Sequence, residues 1–408
     1  MELKKYKLGE ILDVTRGASL SGEFYATEGK YIRLTCGNFD YQNNCFKENK
    51  SKDNLYYIGD FKPEFLMEEG DIITPLTEQA IGLLGSTAII PESGKYIQSQ
   101  DVAKIICKEE LLDKDFVFYL ISSTLVKQQL SAAAQQTKIR HTSPDKIRDC
   151  TVWIPELTEQ KRIGKLLRSL DRKIELNRAI NQNLEAMAKQ LYDYWFVQFD
   201  FPNEEGKPYK LSGGAMVWSE ELKREIPCEW TTTTLGKECE MYQPKTLGLS
   251  ELDDNAQYKV YGANGVIGKF HSYNHEDSEI AMACRGNSCG IINRTAPFSW
   301  ITGNAMVIKM RNSKIHNEYI KQALRYANVA GAISGSGQPQ LTRENLSGVK
   351  LCKPIDEVLM KFTRLVSQIV KLQLQNHSKI EFLIKQRDEF LPLLMNGQVS
   401  VNSDLSDD

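Results

Sequence analysis

The chain has 408 residues, of which 41% are hydrophobic and 25% are charged, and this length predicts two or three domains. These proportions are those of an ordinary globular protein, so they exclude a collagen-like or mostly disordered chain. Lys and Arg total 51 against 53 Asp and Glu, and the resulting formal charge of −2 excludes a protein that would clamp nucleic acid by positive charge alone.

The nine cysteines are scattered from Cys36 to Cys352 without any CxxC pair, which indicates reduced thiols and not a disulfide framework. The first residues, MELKKYKLGEILDV, contain no apolar segment typical of a secretory signal, and no run of 18 apolar residues follows. We therefore expect a cytoplasmic protein with no membrane segment.

Residues 1–155 contain short β-like runs such as YIRLT and DVAKIIC, with a more helical stretch at 115–134. This pattern predicts an α+β domain. Residues 199–354 begin with a linker, at 200–230, that is rich in Pro, Gly and charged residues. The rest of this range repeats the organisation of the first domain.

Two landmarks make the repeat visible. Leu8-Gly9 recurs as Leu235-Gly236, and the string IRDCTVWIP at 147–155 corresponds to LSGVKLCKP at 346–354. Repeats of this kind indicate a duplicated structural unit.

Each globular domain is followed by a long helical pattern, at 156–198 and 355–398, with an apolar residue or Asn at every seventh position. The two seams are Ile163, Leu170, Asn177, Leu184 and Leu191, and Phe362, Ile369, Asn376, Leu383 and Phe390. A sustained seven-residue seam predicts coiled-coil helices, and Asn177 and Asn376 are predicted to set their register because a buried Asn needs a polar partner. A second seam of the first helix includes Asn181. The acidic tail at 399–408 is predicted to be disordered.

The predicted fold is α+β: two pseudo-repeated α+β domains, separated by two long antiparallel coiled-coil helices. Antiparallel pairing is expected because each helix leaves one globular domain and must reach the other.

No catalytic motif is recognisable. None of the thirteen prolines are adjacent, so the D/N-P-P-Y/F motif of adenine methyltransferases is missing. The segment Gly262 to Lys269 lacks the spacing and the Ser or Thr of a P-loop. His271, His275, Cys284 and Cys289 resemble a zinc box, but packed thiols are the favoured interpretation, and we predict no metal and no cofactor.

Polar side chains that can read bases or hold phosphates are concentrated in loops of both domains. Arg and Lys recognise guanine, and Asn and Gln recognise adenine. The candidate DNA-binding residues are Arg16, Ser19, Arg33, Asn38, Thr77, Gln79, Gln136, Lys138, Arg140 and His141 in the first domain, and Gln243, Lys245, Asn264, Lys269, Arg285, Asn287, Ser288, Asn304, Ser336, Gln338 and Gln340 in the second. Ordinary solvated loops are the alternative for any one of them.

Positive charge is scarce in both domains. Residues 1–155 hold 19 basic and 22 acidic residues, and residues 201–354 hold 18 and 16. If the protein binds DNA, most of the phosphate neutralisation must therefore come from elsewhere, such as a partner subunit.

The strings IPELTEQKRIGKLLRSLDRKIELN, AKQLYDYWFVQFDFP and YGANGVIGKF, the run RGNSCGIIN followed by NAMVI, and the duplicated organisation resemble the specificity subunit of type I restriction-modification systems. The resemblance implies that each target-recognition domain reads one half of a bipartite sequence in double-stranded DNA. It also implies that the helices bind two methylase subunits, which carry the adenine-N6 chemistry, and that ATP-dependent restriction subunits complete the complex.

Two other hypotheses remain open from the sequence. One is a DNA methyltransferase or endonuclease with a divergent active site, and the other is a coiled-coil adaptor that does not bind DNA. Binding of S-adenosylmethionine by the isolated chain would favour the first, and a gel shift with the methylase partner would exclude the second.

Overall fold

The structure is a computed structural model that describes residues 2–78, 82–133, 140–335 and 337–401. The chain divides into two compact units. Unit 1 is drawn from Met1–Leu176 and Lys379–Asp408, and unit 2 from Asn177–Ser378. Within the described ranges, no helix is both long enough and apolar enough to cross a bilayer.

In its described residues, unit 1 combines short strands with four helices that precede the first long helix. Its strands are β1 (Lys4–Lys7), β2 (Leu12–Arg16), β3 (Tyr25–Ala26), β4 (Tyr31–Arg33), β5 (Phe39–Asp40), β6 (Cys45–Phe46), β7 (Tyr56–Tyr57), β8 (Ile72–Pro75), β9 (Thr77–Glu78), β10 (Ala88–Ile89), β11 (Tyr96–Ile97), β12 (Val102–Cys107), β13 (Arg140–His141) and β14 (Thr151–Ile154). Its helices are α1 (Leu8–Ile11), α2 (Lys114–Ile121), α3 (Thr124–Ala133) and α4 (Pro144–Arg148), and α5 (Leu157–Tyr192) starts in this unit.

The central sheet of unit 1 is antiparallel, in the order β10-β8-β12-β2. Strand β12 lies between β8 and β2 in this sheet, and most of its side chains are apolar. Helix α2 begins at the cap Asp113, whose carboxylate accepts the amide of Phe116, and its side chains from Phe116 to Ile121 are buried. A second sheet, β11-β4-β7-β3, contains a parallel pair between β11 and β4.

Unit 2 repeats this plan. Its strands are β15 (Met216–Ser219), β16 (Arg224–Pro227), β17 (Thr231–Thr234), β18 (Cys239–Tyr242), β19 (Tyr258–Gly262), β20 (Gly265–Phe270), β21 (Ile280–Ala283), β22 (Ile292–Arg294), β23 (Trp300–Ile301), β24 (Ala305–Met310) and β25 (Lys350–Lys353). Its helices are α6 (Leu235–Glu238), α7 (Glu318–Tyr326) and α8 (Arg343–Ser347), and α9 (Asp356–Met395) starts in this unit.

The two central sheets have the same strand order and the same register. The order β22-β21-β24-β18 matches β10-β8-β12-β2, and the parallel pair β23-β19 matches β11-β4. Leu12 lies opposite Cys107, and the repeat-equivalent residue Cys239 lies opposite Met310. The predicted duplication of an α+β domain is therefore confirmed.

The predicted linker at 200–230 has its own structure. Strands β15 and β16 form an antiparallel hairpin. The preceding string LYDYWFVQFDFP includes a π-helical turn, Asp193–Val197, and buries Trp195, Phe196 and Phe199 in the apolar core of unit 2. These aromatic residues therefore belong to the fold of the second globular part.

The two long helices pair in each unit. In unit 1, α5 contacts the last part of α9 and the segment after it. Arg387 Nη1 of α9 donates to Asp171 Oδ1 over 2.9 Å, and the amide of Val401, beyond the end of α9, donates to Glu159 Oε1 over 3.0 Å. In unit 2, the side-chain amides of Asn181 and Gln373 each donate to the other residue's carbonyl. Within unit 1, Asp171 lies further along α5 than Glu159, whereas its partner Arg387 precedes Val401 in the chain, as antiparallel helices require. The predicted antiparallel pairing is therefore confirmed.

The reciprocal amide contact in unit 2 involves Asn181 and Gln373 in place of the seam residues Asn177 and Asn376. Asn376 is buried and Asn177 is partly buried, and both side chains lie within four residues of that contact. The register role of Asn177 and Asn376 stays a prediction.

Candidate nucleic-acid interface

One edge of the central sheet of unit 1 gathers four loops. Because β2 and β8 both run antiparallel to β12, their carboxyl ends lie beside the amino end of β12. The short pair β9-β13 extends this edge by placing Thr77 opposite His141. We call residues 17–19, 76–78, 98–101 and 140–142 the loop edge of unit 1.

Hydrogen bonds connect the four loops to one another. The amide of Ala18 donates to the carbonyl of Gln98 over 3.0 Å, and the amide of Leu76 donates to Asp101 over 2.8 Å. The amide of Thr142 donates to Leu76 over 2.9 Å. The loop edge is therefore a connected surface and not a set of independent loops.

Unit 2 has a loop edge at the equivalent position, formed by residues 243–246, 284–288, 302–304 and 338–341. The amide of Cys284 donates to Asn304 over 3.2 Å, and the amide of Leu341 donates to Cys284 over 3.0 Å. Arg285 forms an isolated bridge with Gln340. The two backbone hydrogen bonds match the bonds of unit 1 from Leu76 to Asp101 and from Thr142 to Leu76.

Five of the ten candidates of the first domain lie on or beside the loop edge of unit 1. They are Arg16, Ser19, Thr77, Arg140 and His141. Three more, Gln79, Gln136 and Lys138, lie outside the described residues.

Arg33 and Asn38 differ from these five because their side chains are buried. The guanidinium of Arg33 stacks on the ring of Tyr25, 3.8 Å from its centroid, and donates to the carbonyl of Asn54. The Asn38 amide accepts from the Thr35 amide and donates to the Lys47 carbonyl, which closes a turn. Both side chains are therefore held by contacts inside the fold, and their predicted contact with DNA stays a prediction.

The loop edge of unit 2 brings together most of the candidates of the second domain. They are Gln243, Lys245, Arg285, Asn287, Ser288, Asn304, Gln338 and Gln340. Ser336 lies outside the described residues. Asn264 lies in the exposed turn between β19 and β20. Tyr261, near the end of β19, is bonded to the loop edge, because its carbonyl accepts the amide of Thr302.

Lys269 lies elsewhere in unit 2. It is paired with Lys259 in the β19-β20 hairpin, and its ammonium donates to the carbonyl of Asp254. The hairpin runs antiparallel, so Lys269 lies toward the opposite end of β19 from Asn264. The structure therefore separates Lys269 from the other candidates.

The exposed candidates of unit 2 have unused hydrogen-bonding groups. Within the part of the chain that the structure describes, the side chains of Lys245, Arg285, Asn287 and Gln338 make no hydrogen bond or ion pair. Such guanidinium, ammonium and amide groups can form direct contacts with base edges and phosphates.

A buried carboxylate organises the loop edge of unit 1. Glu78 accepts the amides of Gly82 and Leu83, and its second oxygen lies 3.9 Å from Arg140 Nη1. The sequence signal for this residue was its place in the polar run at 77–79, but only its burial distinguishes it from its neighbours.

Gln98 is a second residue that the sequence reasoning missed. Its buried amide donates to the carbonyls of Thr15 and Val102, and it joins β2 to β12. No sequence signal separates this glutamine from Gln100, two positions later.

Two of the four residues of the zinc-like pattern, His275 and Cys284, have hydrogen-bond partners in the protein. His275 shares a hydrogen bond of 2.9 Å with the hydroxyl of Tyr242, and burial together with the nearby charge of Lys309 lowers the pKa of its imidazole. Burial raises the pKa of the Cys284 thiol, which donates to the carbonyl of Asn304. A neutral thiol in a hydrogen bond agrees with the packed-thiol interpretation.

The long helices expose apolar side chains as well. On α5 and the turn after it, Ile180, Met187 and Tyr194 are substantially exposed and recur at helical spacings that place them on one face. On α9, Leu365 and Leu372 in unit 2 and Phe382 in unit 1 are about half exposed. Exposed apolar side chains on a helix can supply contact area to another protein.

Comparison with known proteins agrees with this architecture. Residues 1–186 match the family model for the type I restriction modification DNA specificity domain. The type I restriction enzyme MjaIX specificity subunit of Methanocaldococcus jannaschii is 22% identical over 334 residues, which cover 74% of this chain and 73% of that subunit. The HindI specificity subunit of Haemophilus influenzae is 30% identical over 130 residues, 32% of this chain and 27% of that subunit.

A solved structure supports the fold. The S subunit of a type I restriction-modification system from M. genitalium aligns with a TM-score of 0.61 at 18% identity, over 97% of this chain and 96% of that one. The solved structure thus shows the same fold, and the family-model match and the sequence relatives show that this chain is similar to the specificity subunits of type I restriction-modification systems.

Proposed function

We propose that this chain is a specificity subunit of a type I restriction-modification system and recognises a bipartite sequence in double-stranded DNA. In this proposal the loop edge of unit 1 reads one half of the sequence and the loop edge of unit 2 reads the other. The observation that carries the proposal is the duplication of one loop edge, with the same hydrogen bonds, in two units of the same fold. Exposed arginine, lysine, asparagine and glutamine side chains on these edges have the donor and acceptor groups that direct base readout requires.

The boundaries of the two readers remain those predicted from sequence: residues 1–155 and 199–354, with the helices at 156–198 and 355–398 as the spacer. In this proposal the acidic tail at 399–408 has no role in recognition, and residues 402–408 lie outside the described part of the chain.

We further propose that two methylase subunits bind the paired helices. The exposed apolar residues Ile180, Met187 and Leu372 supply contact area for a partner helix. A partner is also needed electrostatically, because residues 1–155 carry more acidic than basic side chains and cannot neutralise a DNA backbone by themselves.

In this proposal the catalytic steps are carried out by the partner subunits. The methylase subunits would bind S-adenosylmethionine and methylate adenine at N6, and ATP-dependent restriction subunits would cut unmodified DNA. The chain itself would act in the cytoplasm as a recognition subunit without a catalytic residue or a cofactor.

The decisive experiment is to express this subunit with its methylase partner in cells that lack other methylases, and to map methylated adenines across the genome by single-molecule sequencing. We expect one bipartite motif with a constant spacer. Methylation without a bipartite motif, or S-adenosylmethionine binding by the isolated chain, would refute the proposal, and a purified complex that gives no gel shift would favour an adaptor.

A further inference from the structure

Three hydrogen bonds recur at equivalent positions of the two loop edges. Two of them join backbone groups: Leu76 N to Asp101 O matches Cys284 N to Asn304 O, and Thr142 N to Leu76 O matches Leu341 N to Cys284 O. Backbone groups form such bonds with almost any side chain, so these two bonds place little demand on the sequence.

The third recurring bond uses a side chain. Arg16 Nε donates to the carbonyl of Gln100 over 2.8 Å, and Gln243 Nε2 donates to the carbonyl of Gly303 over 3.1 Å. Arg16 and Gln243 occupy the same repeat position, because each lies eight residues after the leucine of its Leu-Gly landmark. Gln100 and Gly303 each lie two residues before the strand that follows, β12 or β24.

The two donors differ in chemistry but share one capacity. Arginine and glutamine both carry a planar N–H group at the end of a flexible side chain. Two different residue types therefore make the same contact in two copies of the fold, which indicates that the contact itself matters.

The loop that receives this bond leads into the central strand of each sheet and lies between the other loops of the edge. In unit 1 it also receives the amide of Ala18 at Gln98 and the amide of Leu76 at Asp101. In unit 2, Gln243 Nε2 additionally donates to Cys284 Sγ over 3.0 Å, and that thiol donates to Asn304 O. A shift of this loop would therefore move the neighbouring loops, including the one that carries Arg285.

We infer that Arg16 and Gln243 are matched positioning residues, which hold the loop before β12 and the loop before β24 in the geometry that the base-contacting side chains need. This inference rests on the proposed function and deepens it. It separates two of the predicted DNA-binding residues from the others: Arg16 and Gln243 act through the protein backbone, whereas Arg285 and Asn287 act on the DNA.

A substitution series tests the inference at Arg16. Arg16→Ala removes the donor, and Arg16→Gln keeps a donor of the type that position 243 uses in the other repeat. The first measurement is amide hydrogen exchange of the full-length chain without DNA, read at Ala18, Leu76 and Val102. We expect Arg16→Ala to accelerate exchange there by roughly 3- to 10-fold, the factor for one hydrogen bond, and Arg16→Gln to leave it near the wild-type rate.

The second measurement is DNA affinity of the complex with its methylase partner at several salt concentrations. We expect Arg16→Ala to weaken binding and to relax only the half-site of unit 1, with the dependence of log K on log salt unchanged, and Arg16→Gln to restore both affinity and specificity. Arg285→Ala is the matched control on the other loop edge, because it removes an exposed guanidinium that makes no hydrogen bond to another described residue.

Equal losses in Arg16→Ala and Arg16→Gln, with a salt slope reduced by about 0.9, would show that Arg16 contacts a phosphate and would overturn the inference. Unchanged exchange in Arg16→Ala would overturn it as well. Gln243→Ala and Gln243→Arg repeat the test in unit 2, so a folding defect of one variant leaves the test intact. If the wild-type complex selects no DNA sequence but the exchange pattern is as expected, the proposed function is wrong and the positioning of the loop is supported.

Discussion

Glu185 connects three helices of unit 2, and its replacement by glutamine is the most informative stability test. Its carboxylate in α5 accepts from Lys321 Nζ at 2.7 and 2.8 Å and from Arg325 Nη2 at 2.6 Å, both in α7. Gln373 of α9 donates to it over 3.3 Å. The globular part of unit 2 is thus attached to both long helices through one carboxylate.

The expected cost of Glu185→Gln follows from burial. Removing one member of a buried ion pair costs about 3–5 kcal/mol, because the other charge stays buried without its partner. The Glu185 side chain is 31% exposed, and Glu318 remains 3.4 Å from Lys321 as a second carboxylate. We therefore expect the free energy of unfolding of unit 2 to fall by about 2 kcal/mol, below that range.

The cost should depend on pH. Burial acts to raise the pKa of Glu185, but Lys321 and Arg325 outweigh it and lower the pKa to about 2 from its ordinary value of 4.5. A carboxylate whose pKa is lower in the folded state stabilises the fold above the unfolded pKa and loses this contribution as the pH falls through the folded pKa. The difference between wild type and Glu185→Gln should therefore be full at pH 6 and should shrink between pH 4.5 and pH 2.

Tryptophan fluorescence during urea unfolding is a suitable assay, because Trp195, Trp218, Trp230 and Trp300 lie in unit 2 and only Trp153 lies in unit 1. Glu357→Gln serves as the control, since its pair with Lys361 in α9 of the same unit is solvent-exposed and such pairs contribute about 0–1 kcal/mol. A loss no larger than that of the control, or a loss that does not change with pH, would refute the reasoning.

Three further predictions concern recognition, and each is read from the methylated motif in cells. Arg285→Ala should relax one position in a single half-site and cost about 1–3 kcal/mol of discrimination, as expected for a guanidinium that reads guanine; an unchanged motif would remove Arg285 from the readers. Replacing residues 1–150 by the corresponding domain of a relative should change only one half-site, and a change in both would contradict modular reading. Inserting four helix-compatible residues after Lys173, matched by four after Ser378 in α9, adds about 6 Å and should lengthen only the spacer, by a little under two base pairs. A single-residue insertion rotates the helix by about 100° and should abolish specific methylation; an unchanged spacer in the four-residue variant would show that the helices do not set the distance.

The sequence was sufficient to predict the duplicated plan and the long helices. Both are written in local periodicity: the seven-residue seam through Ile163 and Phe362, and the prolyl landmarks at Pro155 and Pro354, depend on residues close together in the chain. The loops of the candidate interface were predictable for the same reason, since Gly, Asn and Ser mark the ends of strands such as β21.

Burial of individual polar side chains was not predictable in this way. Arg33 and Arg285 are both loop-flanking arginines, but Arg33 is covered by Tyr25 and by the chain at Asn54, whereas Arg285 faces solvent. The residues that cover Arg33 are brought to it by strands β3 and β7, and the sequence around Arg33 carries no trace of that pairing.

The sequence by itself determined which segments fold as repeats, which form long helices and where the polar loops fall, because these properties depend on the order of neighbouring residues. Only the tertiary structure decided that Asn181 and Gln373 make the reciprocal contact, that Glu78 and Gln98 are buried, and that Arg16 and Gln243 reach equivalent carbonyls. The physical reason is that a hydrogen bond depends on distances of about 3 Å between atoms that lie from 60 to nearly 200 residues apart in the chain, and those distances exist only after the sheets and helices have packed.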